Sequence, residues 1–333
     1  MGLNHARVLS DMEEVVLAAV SDPDPAALTQ VARRSAARPY ADHRAMLGAE
    51  QLDAAVIAAP TSSHASVAID ALSAGLDVLV EKPVASSVEE GTALLNHALR
   101  HKRLLWVGHV ERFNPAVIAL KQRLDAGDLG RVIQLHARRL GPFPPRVADV
   151  GVVLDLSTHD IDVMRFLTGQ QIVRLYAQTQ RRIHTAHEDA VSGVLTFADG
   201  TTGVLETNWL TPTKVRELTV TGEKGMFVVN YVSQELTFYE NAYRSSDGAT
   251  SGVMEGNVIK LRVEAREPLR VELETFVRSV LQQDPRETNA GDALAALEIA
   301  SHILSSAASS QVVSLLPSAL PWPSPDRLLT PEP

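Results

Sequence analysis

Cysteine is absent from the 333 residues, which excludes a disulfide framework, a thiolate zinc site and a cysteine nucleophile. Long apolar runs are absent too. None reaches the roughly 18 residues a membrane helix needs, and the first residues lack the pattern of a signal peptide. Nor is there an excess of positive charge. Thirty-one Lys and Arg stand against 40 Asp and Glu, for a formal charge of -9, so no basic footprint draws the chain to nucleic acid or an anionic membrane. Internal repeats are also missing. What remains is an ordinary composition, 45% hydrophobic and 21% charged, in a chain long enough for two domains and for a core without crosslinks. A cytoplasmic, soluble protein is expected, with its chemistry carried by His, Lys, Asp, Glu, Ser or a bound cofactor.

From Glu14 to about residue 139, short apolar runs alternate with longer segments of helical period, the pattern of βαβ units on a parallel sheet. The strands are expected at Val15 to Val20, Ala54 to Ala59, Val78 to Val80, Leu104 to Val107 and Val132 to Leu135. Helices are expected at Pro25 to Ala36, His64 to Ala74, Val88 to His101 and Pro115 to Ala126. Asp24 before Pro25 reads as an N-cap, Ser86 precedes Glu89 and Glu90, and Gly75 reads as a helix end. Beyond residue 170 strands follow one another directly: Ile172 to Gln178, Ala190 to Phe197, Thr202 to Asn208, Val215 to Thr221 and Met226 to Asn230. Turn signals at Asp199-Gly200 and Gly222 to Gly225 separate them. Such a run predicts a largely antiparallel sheet with one face free for a partner. Two helices follow, Val271 to Gln282 and Ala290 to Ala308. The expected division is a doubly wound α/β domain over 1–112, an α+β domain with an open antiparallel sheet over 113–316, and a tail over 317–333 that holds six of the 18 prolines.

A dinucleotide-binding unit opens with a strand and G-x-G-x-x-G, whose glycines let backbone amides approach a pyrophosphate at a helix N-terminus. Here Gly2 reads as the last of those glycines and Leu3 to Leu9 as the helix after it. The first strand and two glycines are then expected ahead of Met1, in a longer natural chain. Asp22 closes the next strand, where an acid accepts hydrogen bonds from ribose hydroxyls and repels a 2′-phosphate, favouring NAD over NADP. The plainer alternative makes Gly2 a terminal residue and Asp22 a cap.

Glu81-Lys82-Pro83 ends an apolar strand, and strand C-termini line the ligand crevice of open α/β sheets. Lys82 there can stabilise a developing alkoxide or act as a base; a solvent-facing loop lysine is the alternative. Ala59, Pro60 and His64 follow another strand, and Gly108 to Pro115 a third. Farther on, Asp155 and His159 share one face if both lie on a helix that runs to Leu167. That spacing suits a general base and its orienter. With His184, His187, Glu188 and Asp189 the same pair allows a metal site as a rival, although no HExxH-type spacing occurs and no metal is expected; a capping role for Asp155 and Asp160 is the third possibility. Arg138, Arg139, Arg146, Lys214 and Arg216 are the cations available to an anionic substrate.

Gly2-x-x-His5, the Asp22 strand, Ala59-Pro60, Glu81-Lys82-Pro83, Arg112-Phe113-x-Pro115 and Asp155-x-x-x-His159, in this order from Gly2 to about Ala308, resemble the Gfo/Idh/MocA oxidoreductase family. The stretches GHVERFNPAV, GPFPPR, DVGVVLDLSTHDIDV and NWLTPTKVR are similar to those of members that oxidise the 3-hydroxyl of a nucleotide sugar, UDP-N-acetylglucosamine or its uronic acid. The resemblance implies Lys82, His159 and Asp155 as catalytic residues, and Gly2, His5, Asp22, Ala59, Pro60, His64, Glu81, Lys82 and Arg112 at NAD. Arg112, Asn114, Arg139, Arg146, Lys214 and Arg216 are expected at the substrate, and the open sheet of the second domain suggests face-to-face pairing of subunits into a homodimer or homotetramer. A dehydrogenase of a free sugar or inositol, and a noncatalytic nucleotide or sugar binder, are the alternatives.

Overall fold

The fold is described from a computed structural model, which describes residues 1–144, 150–183, 186–246, 249–283 and 288–315. The proline-rich tail, Arg146 and His184 lie outside those residues. The chain begins with α1 (Gly2–Ser10), β1 (Ala19–Ser21), α2 (Pro25–Ala32), β2 (Arg38–Tyr40), α3 (His43–Ala49), β3 (Ala54–Ile57), α4 (Thr61–Ser73), β4 (Asp77–Glu81), α5 (Val88–His101) and β5 (Leu105–Gly108). A 3₁₀ turn at Val110–Phe113 leads to α6 (Pro115–Asp125), β6 (Val132–Pro142), a π turn at Val153–Ser157 and α7 (Thr158–Thr168). Then come β7 (Ile172–Gln180), β8 (Ala190–Phe197), β9 (Thr202–Asn208), β10 (Leu210–Gly222), β11 (Gly225–Asn230), β12 (Glu235–Ser246) and β13 (Ala249–Leu261). The chain closes with α8 (Pro268–Gln282), α9 (Ala290–Ser309) and β14 (Val313–Ser314). Among the described residues no helix is long and apolar enough to cross a membrane.

Two compact units result: Met1–Val110 with Glu267–Ala295, and Glu111–Arg266 with Ala296–Pro333. This division differs from the expected blocks 1–112 and 113–316 in that residues 267–295 stand with the first unit. Side chains explain the placement. The amide of Asn289 accepts from Val107 N–H and donates to Val107 C=O, both at 2.7 Å, and the Thr288 hydroxyl donates to Leu105 C=O. Asn289 thus stands where another strand would pair with the β5 edge. Asn289→Ala is expected to leave the buried Val107 N–H unpartnered and to lower stability by about 2 kcal/mol, measured as the urea midpoint of unfolding.

In the first unit the strands run parallel in two pieces, β1-β2 and β3-β4-β5. No strand among the described residues joins β1 to β3. The expected strand Val15 to Val20 shortens to Ala19–Ser21 because β2 runs beside it only there; Val16 is 87% exposed. The local signals act as read for α2, where Asp24 accepts from Ala26 N–H. At α5 the cap is Ser87, which accepts from Glu90 N–H.

The second unit holds a nine-stranded sheet in the order β13-β12-β11-β10-β6-β9-β8-β7-β14, antiparallel except for the β6-β9 pair. One face carries the core. Leu135, Ala137, Leu195, Leu205, Leu218 and Val229 from the strands pack with Val117 and Leu120 of α6, Ile161 and Met164 of α7 and Ile299 and Ile303 of α9. The other face carries alternating polar and apolar side chains, as one-sided burial of an antiparallel sheet requires.

Candidate active site

At the end of β4, Glu81 is buried and its Oε1 lies 2.8 Å from His5 Nε2 of α1. The backbone N–H of Lys82 donates to the other carboxylate oxygen at 3.2 Å. Burial pushes the Glu81 carboxyl up, but the His5 contact and the Lys82 charge together outweigh it and hold Glu81 below the ordinary glutamate value. Lys82, half-buried, follows this fixed carboxylate at the strand's C-terminal end. His64 ties the next loop down. Its Nδ1 is 2.8 Å from Pro83 C=O and its Nε2 2.9 Å from Ala59 C=O. His5 and His64 are therefore scaffolding of the loops on which Lys82, Ala59 and Pro60 sit. Asp22 directly follows β1 and accepts from Asp24 N–H at 2.8 Å. A Cβ on Gly2 would meet the Ala58 Cβ at 3.8 Å, an ordinary contact, so close packing there does not demand glycine.

The second unit carries the other expected residues on α7. Every residue from Thr158 to Leu167 is buried, including Thr158, His159, Asp160, Asp162 and Arg165. A helix buried on all sides is ordinarily apolar, so each polar group here needs a partner or a task. Asp160 accepts a two-pronged contact from Arg139, 2.9 Å on both arms, and Arg139 also reaches Glu111 at 2.7 Å. Asp162 takes Arg112 in the same way at 2.6 Å on both arms. Burial pulls the Arg139 guanidinium down, yet Asp160 and Glu111 hold it well above its ordinary value. Burial, only partly offset by Arg139, raises the Asp160 carboxyl.

Three of the expected ligand residues take part in these pairings or in a helix cap. Arg112, read as a cofactor and substrate ligand, is 2% exposed and committed to Asp162. Arg139 is neutralised between Asp160 and Glu111, and its guanidinium stacks 5.2 Å over the Tyr231 ring. Asn114 caps α6 through Ala116 N–H and donates to Tyr231 C=O. Removing one partner of such a pair leaves an uncompensated buried charge. Of the remaining cations, Arg216 is half-buried and donates to Leu140 and Val215 C=O. Burial, then repulsion from Arg139, lowers its guanidinium. Lys214 is exposed on a four-residue excursion of β10, where pairing with β6 skips from Leu210 to Val215. Arg146 lies outside the described residues.

Asp155 departs from the expected α-helix. It sits in the π turn, with His159 four residues later in the first turn of α7. Single π turns recur at functional positions because the wide turn re-aims side chains. Sequence reading passed over Asp162, Glu111 and Tyr231 and weighed Asp160 only as a cap; the signal was there in THDIDVMRFL, a helix too polar for its apolar flanks. Among the described residues no group of three or more His, Asp or Glu side chains is arranged to hold a metal ion.

Comparison with known proteins decides the family. Residues 1–109 match the oxidoreductase family with the NAD-binding Rossmann fold, and residues 117–228 match the GFO/IDH/MocA C-terminal domain. The chain belongs to the Gfo/Idh/MocA oxidoreductase family. Its similarity to UDP-N-acetylglucosamine 3-dehydrogenase of Acidithiobacillus ferrooxidans is 29% identity over 86% of this chain and 87% of that one. A solved structure of that enzyme superimposes with a TM-score of 0.81 at 27% identity, covering 92% of this chain and 94% of that one. Inositol 2-dehydrogenase 2 of Saccharopolyspora erythraea is 34% identical over 57% of each chain. Inositol 2-dehydrogenase of Rhizobium meliloti is 28% identical over 95% of this chain and 96% of its own.

This member of the Gfo/Idh/MocA family is thus an NAD-binding oxidoreductase. The first unit's residues fit that cofactor: an acid directly after β1, the α1 and α4 N-termini beside β3, and a carboxylate-braced lysine at the end of β4. In doubly wound sheets the dinucleotide lies along such strand ends.

Proposed function

We propose that the protein oxidises a secondary hydroxyl of a sugar, the 3-hydroxyl of a nucleotide-activated amino sugar such as UDP-N-acetylglucosamine or its uronic acid. In this reading His159 takes the hydroxyl proton, the Lys82 ammonium is a cation able to stabilise negative charge on oxygen, and Asp155 orients imidazole or substrate. When bound, NAD supplies the hydride acceptor. A base and a cation act on charge that grows only in the transition state, which is where such groups raise the rate. Asp22, Ala59, Pro60 and Glu81 are proposed on the cofactor side, and Lys214 and Arg216 on the substrate side. The observation that carries the reading is His159, buried at the start of an all-buried polar helix four residues after Asp155.

A second reading, oxidation of a free inositol or sugar, gains from Arg112 and Arg139 being neutralised within the protein. A diphosphate would then meet fewer cations than the sequence offers. Incubation with NAD and a panel of UDP-amino sugars and inositols separates the two. NADH should appear with the nucleotide sugars and not with the inositols. The reverse outcome makes the protein a cyclitol dehydrogenase, and no NADH from any compound would point to a noncatalytic binder.

We also propose a homodimer or homotetramer assembled through the outer face of the nine-stranded sheet. That face alternates apolar residues, Val194, Val204 and Val258, with a charged row in which Arg138 lies between Glu206 at 3.1 Å and Glu217 at 3.7 Å. A hollow of about 410 Å³ lined by His136, Tyr176, Val194 and Glu206 lies on it. Such a surface can meet its own copy. Sedimentation should give a dimer or larger species, and Val194→Asp with Val204→Asp should return monomer.

A further inference from the structure

We propose that Glu188 is a positioning residue for the Asp155 and His159 pair, acting through the π turn, and that Gly151 is kept small to admit its carboxylate. This deepens the catalytic reading given above and rests on it.

The helical segment that begins at Val152 must satisfy N–H groups that have no partner within the helix. Two of them are satisfied by Glu188, two residues ahead of β8. The Glu188 backbone carbonyl accepts from Val152 N–H at 3.0 Å, and Glu188 Oε1 accepts from Val153 N–H at 3.0 Å. Asp189 next to it is anchored in turn: its carboxylate accepts from Arg182 and Ile183 N–H, and its backbone pairs with Gln180 and Trp209. The bracket is therefore rigid and stands on the sheet. A carboxylate at a helix N-terminus is also favoured by the helix dipole.

Gly151 makes room for it. A Cβ built there would fall 2.0 Å from Glu188 Oε1 and 2.2 Å from Oε2. A larger residue at 151 must push this carboxylate, the far end of a flexible side chain, out of that place. Val152, Val153 and Ser157 around the turn are fully buried, while Leu154, Asp155, Leu156 and Glu188 are half-buried.

The consequence is angular. A π turn holds one more residue than an α turn, and each residue occupies roughly 100° of a helix. If the bracket is lost and the turn tightens to α spacing, the residues ahead of His159 rotate by up to that step. Asp155 and His159, four apart, stay on one side of an α turn, but the angle and height at which the carboxylate meets the imidazole change. Displacements of this kind cost reaction rate far more than they cost binding of a distant cofactor.

The test uses Glu188→Ala, Glu188→Gln, Gly151→Ala and the double variant Gly151→Ala/Glu188→Ala in the full chain. The readouts are kcat and KM with whichever sugar of the panel yields NADH, and hydrogen exchange of the peptide spanning 151–160, which needs no substrate. Glu188→Ala is expected to lower kcat about 10- to 100-fold with KM for NAD unchanged and to speed exchange of that peptide. Glu188→Gln keeps an oxygen for Val153 N–H and should stay within about fivefold of wild type. Gly151→Ala should expel the carboxylate and reproduce Glu188→Ala, and the double variant should be no worse than either single one. Unchanged exchange and kcat in Glu188→Ala, or losses that multiply in the double variant, overturn the proposal while His159→Asn remains inactive. Wild-type turnover in His159→Asn instead removes the catalytic reading, and the proposal with it. Fast exchange throughout the chain in both Ala variants, with Glu188→Gln no better, would show a general folding defect and also overturn it.

Discussion

His159→Asn is expected to lower turnover by about 10²- to 10⁴-fold, and Lys82→Met by about 10²- to 10³-fold. The first change removes the nitrogen that takes the hydroxyl proton; the second removes the cation that meets the charge left behind. Neither should unfold the protein. His159 lies in a helix that Asp160 and Asp162 tie to Arg139 and Arg112, and Lys82 is half-buried at a strand end whose core contacts come from Val78, Leu79 and Val80. Initial rates of NADH formation with the panel's best sugar check the prediction, with NAD affinity measured alongside. Asn in place of His159 retains a polar side chain of similar reach without a basic nitrogen, so a surviving rate would argue that proton removal is done elsewhere.

The second large effect belongs to stability. Asp162→Ala is expected to cost about 3–5 kcal/mol, the usual scale for breaking one side of a buried ion pair. Both partners are nearly inaccessible, 2% each at the side chain, and the two arms of the Arg112 contact lose their acceptor together. The Arg112 guanidinium also lies 5.3 Å over the Phe166 ring, a contact it would lose on swinging to water. Replacing the pair jointly, Arg112→Met with Asp162→Leu, should recover part of the loss, because two apolar side chains need no desolvation. Chemical denaturation of the three proteins checks this. A negligible loss in Asp162→Ala would return Arg112 to the role of a ligand for cofactor or substrate.

Much of the fold was legible because its signals are local. Asp24-Pro25, the Ser-rich lead into Val88 and the strand periods of Ala190 to Phe197 and Thr202 to Asn208 each set one element regardless of what packs on it. The β12-β13 hairpin was not legible. Its outer positions are exposed, with Val253 at 63% and Val258 at 50%, so the alternation of buried and exposed positions that marks a strand is weak there. Strand β2 was missed for a related reason, since Arg38-Pro39-Tyr40 is three residues long and pairs on one side only. Lys82, Asp155 and His159 stood out as chemistry-bearing types at telling places, whereas the arginines did not sort themselves.

By itself the sequence determined the alternation that makes the first unit, the strand run that makes the second, the helix caps and the residue types able to move a proton. Those follow from short-range sterics and hydrogen bonding, which neighbours along the chain decide. Only the tertiary structure decided that Arg112 and Arg139 are neutralised, that residues 267–295 close the β5 edge, and that Asp155 stands on a π turn braced by Glu188. Each of these depends on groups tens to hundreds of positions apart that meet in a low-dielectric interior, where pairing is enforced by the cost of leaving a charge or an N–H unmatched.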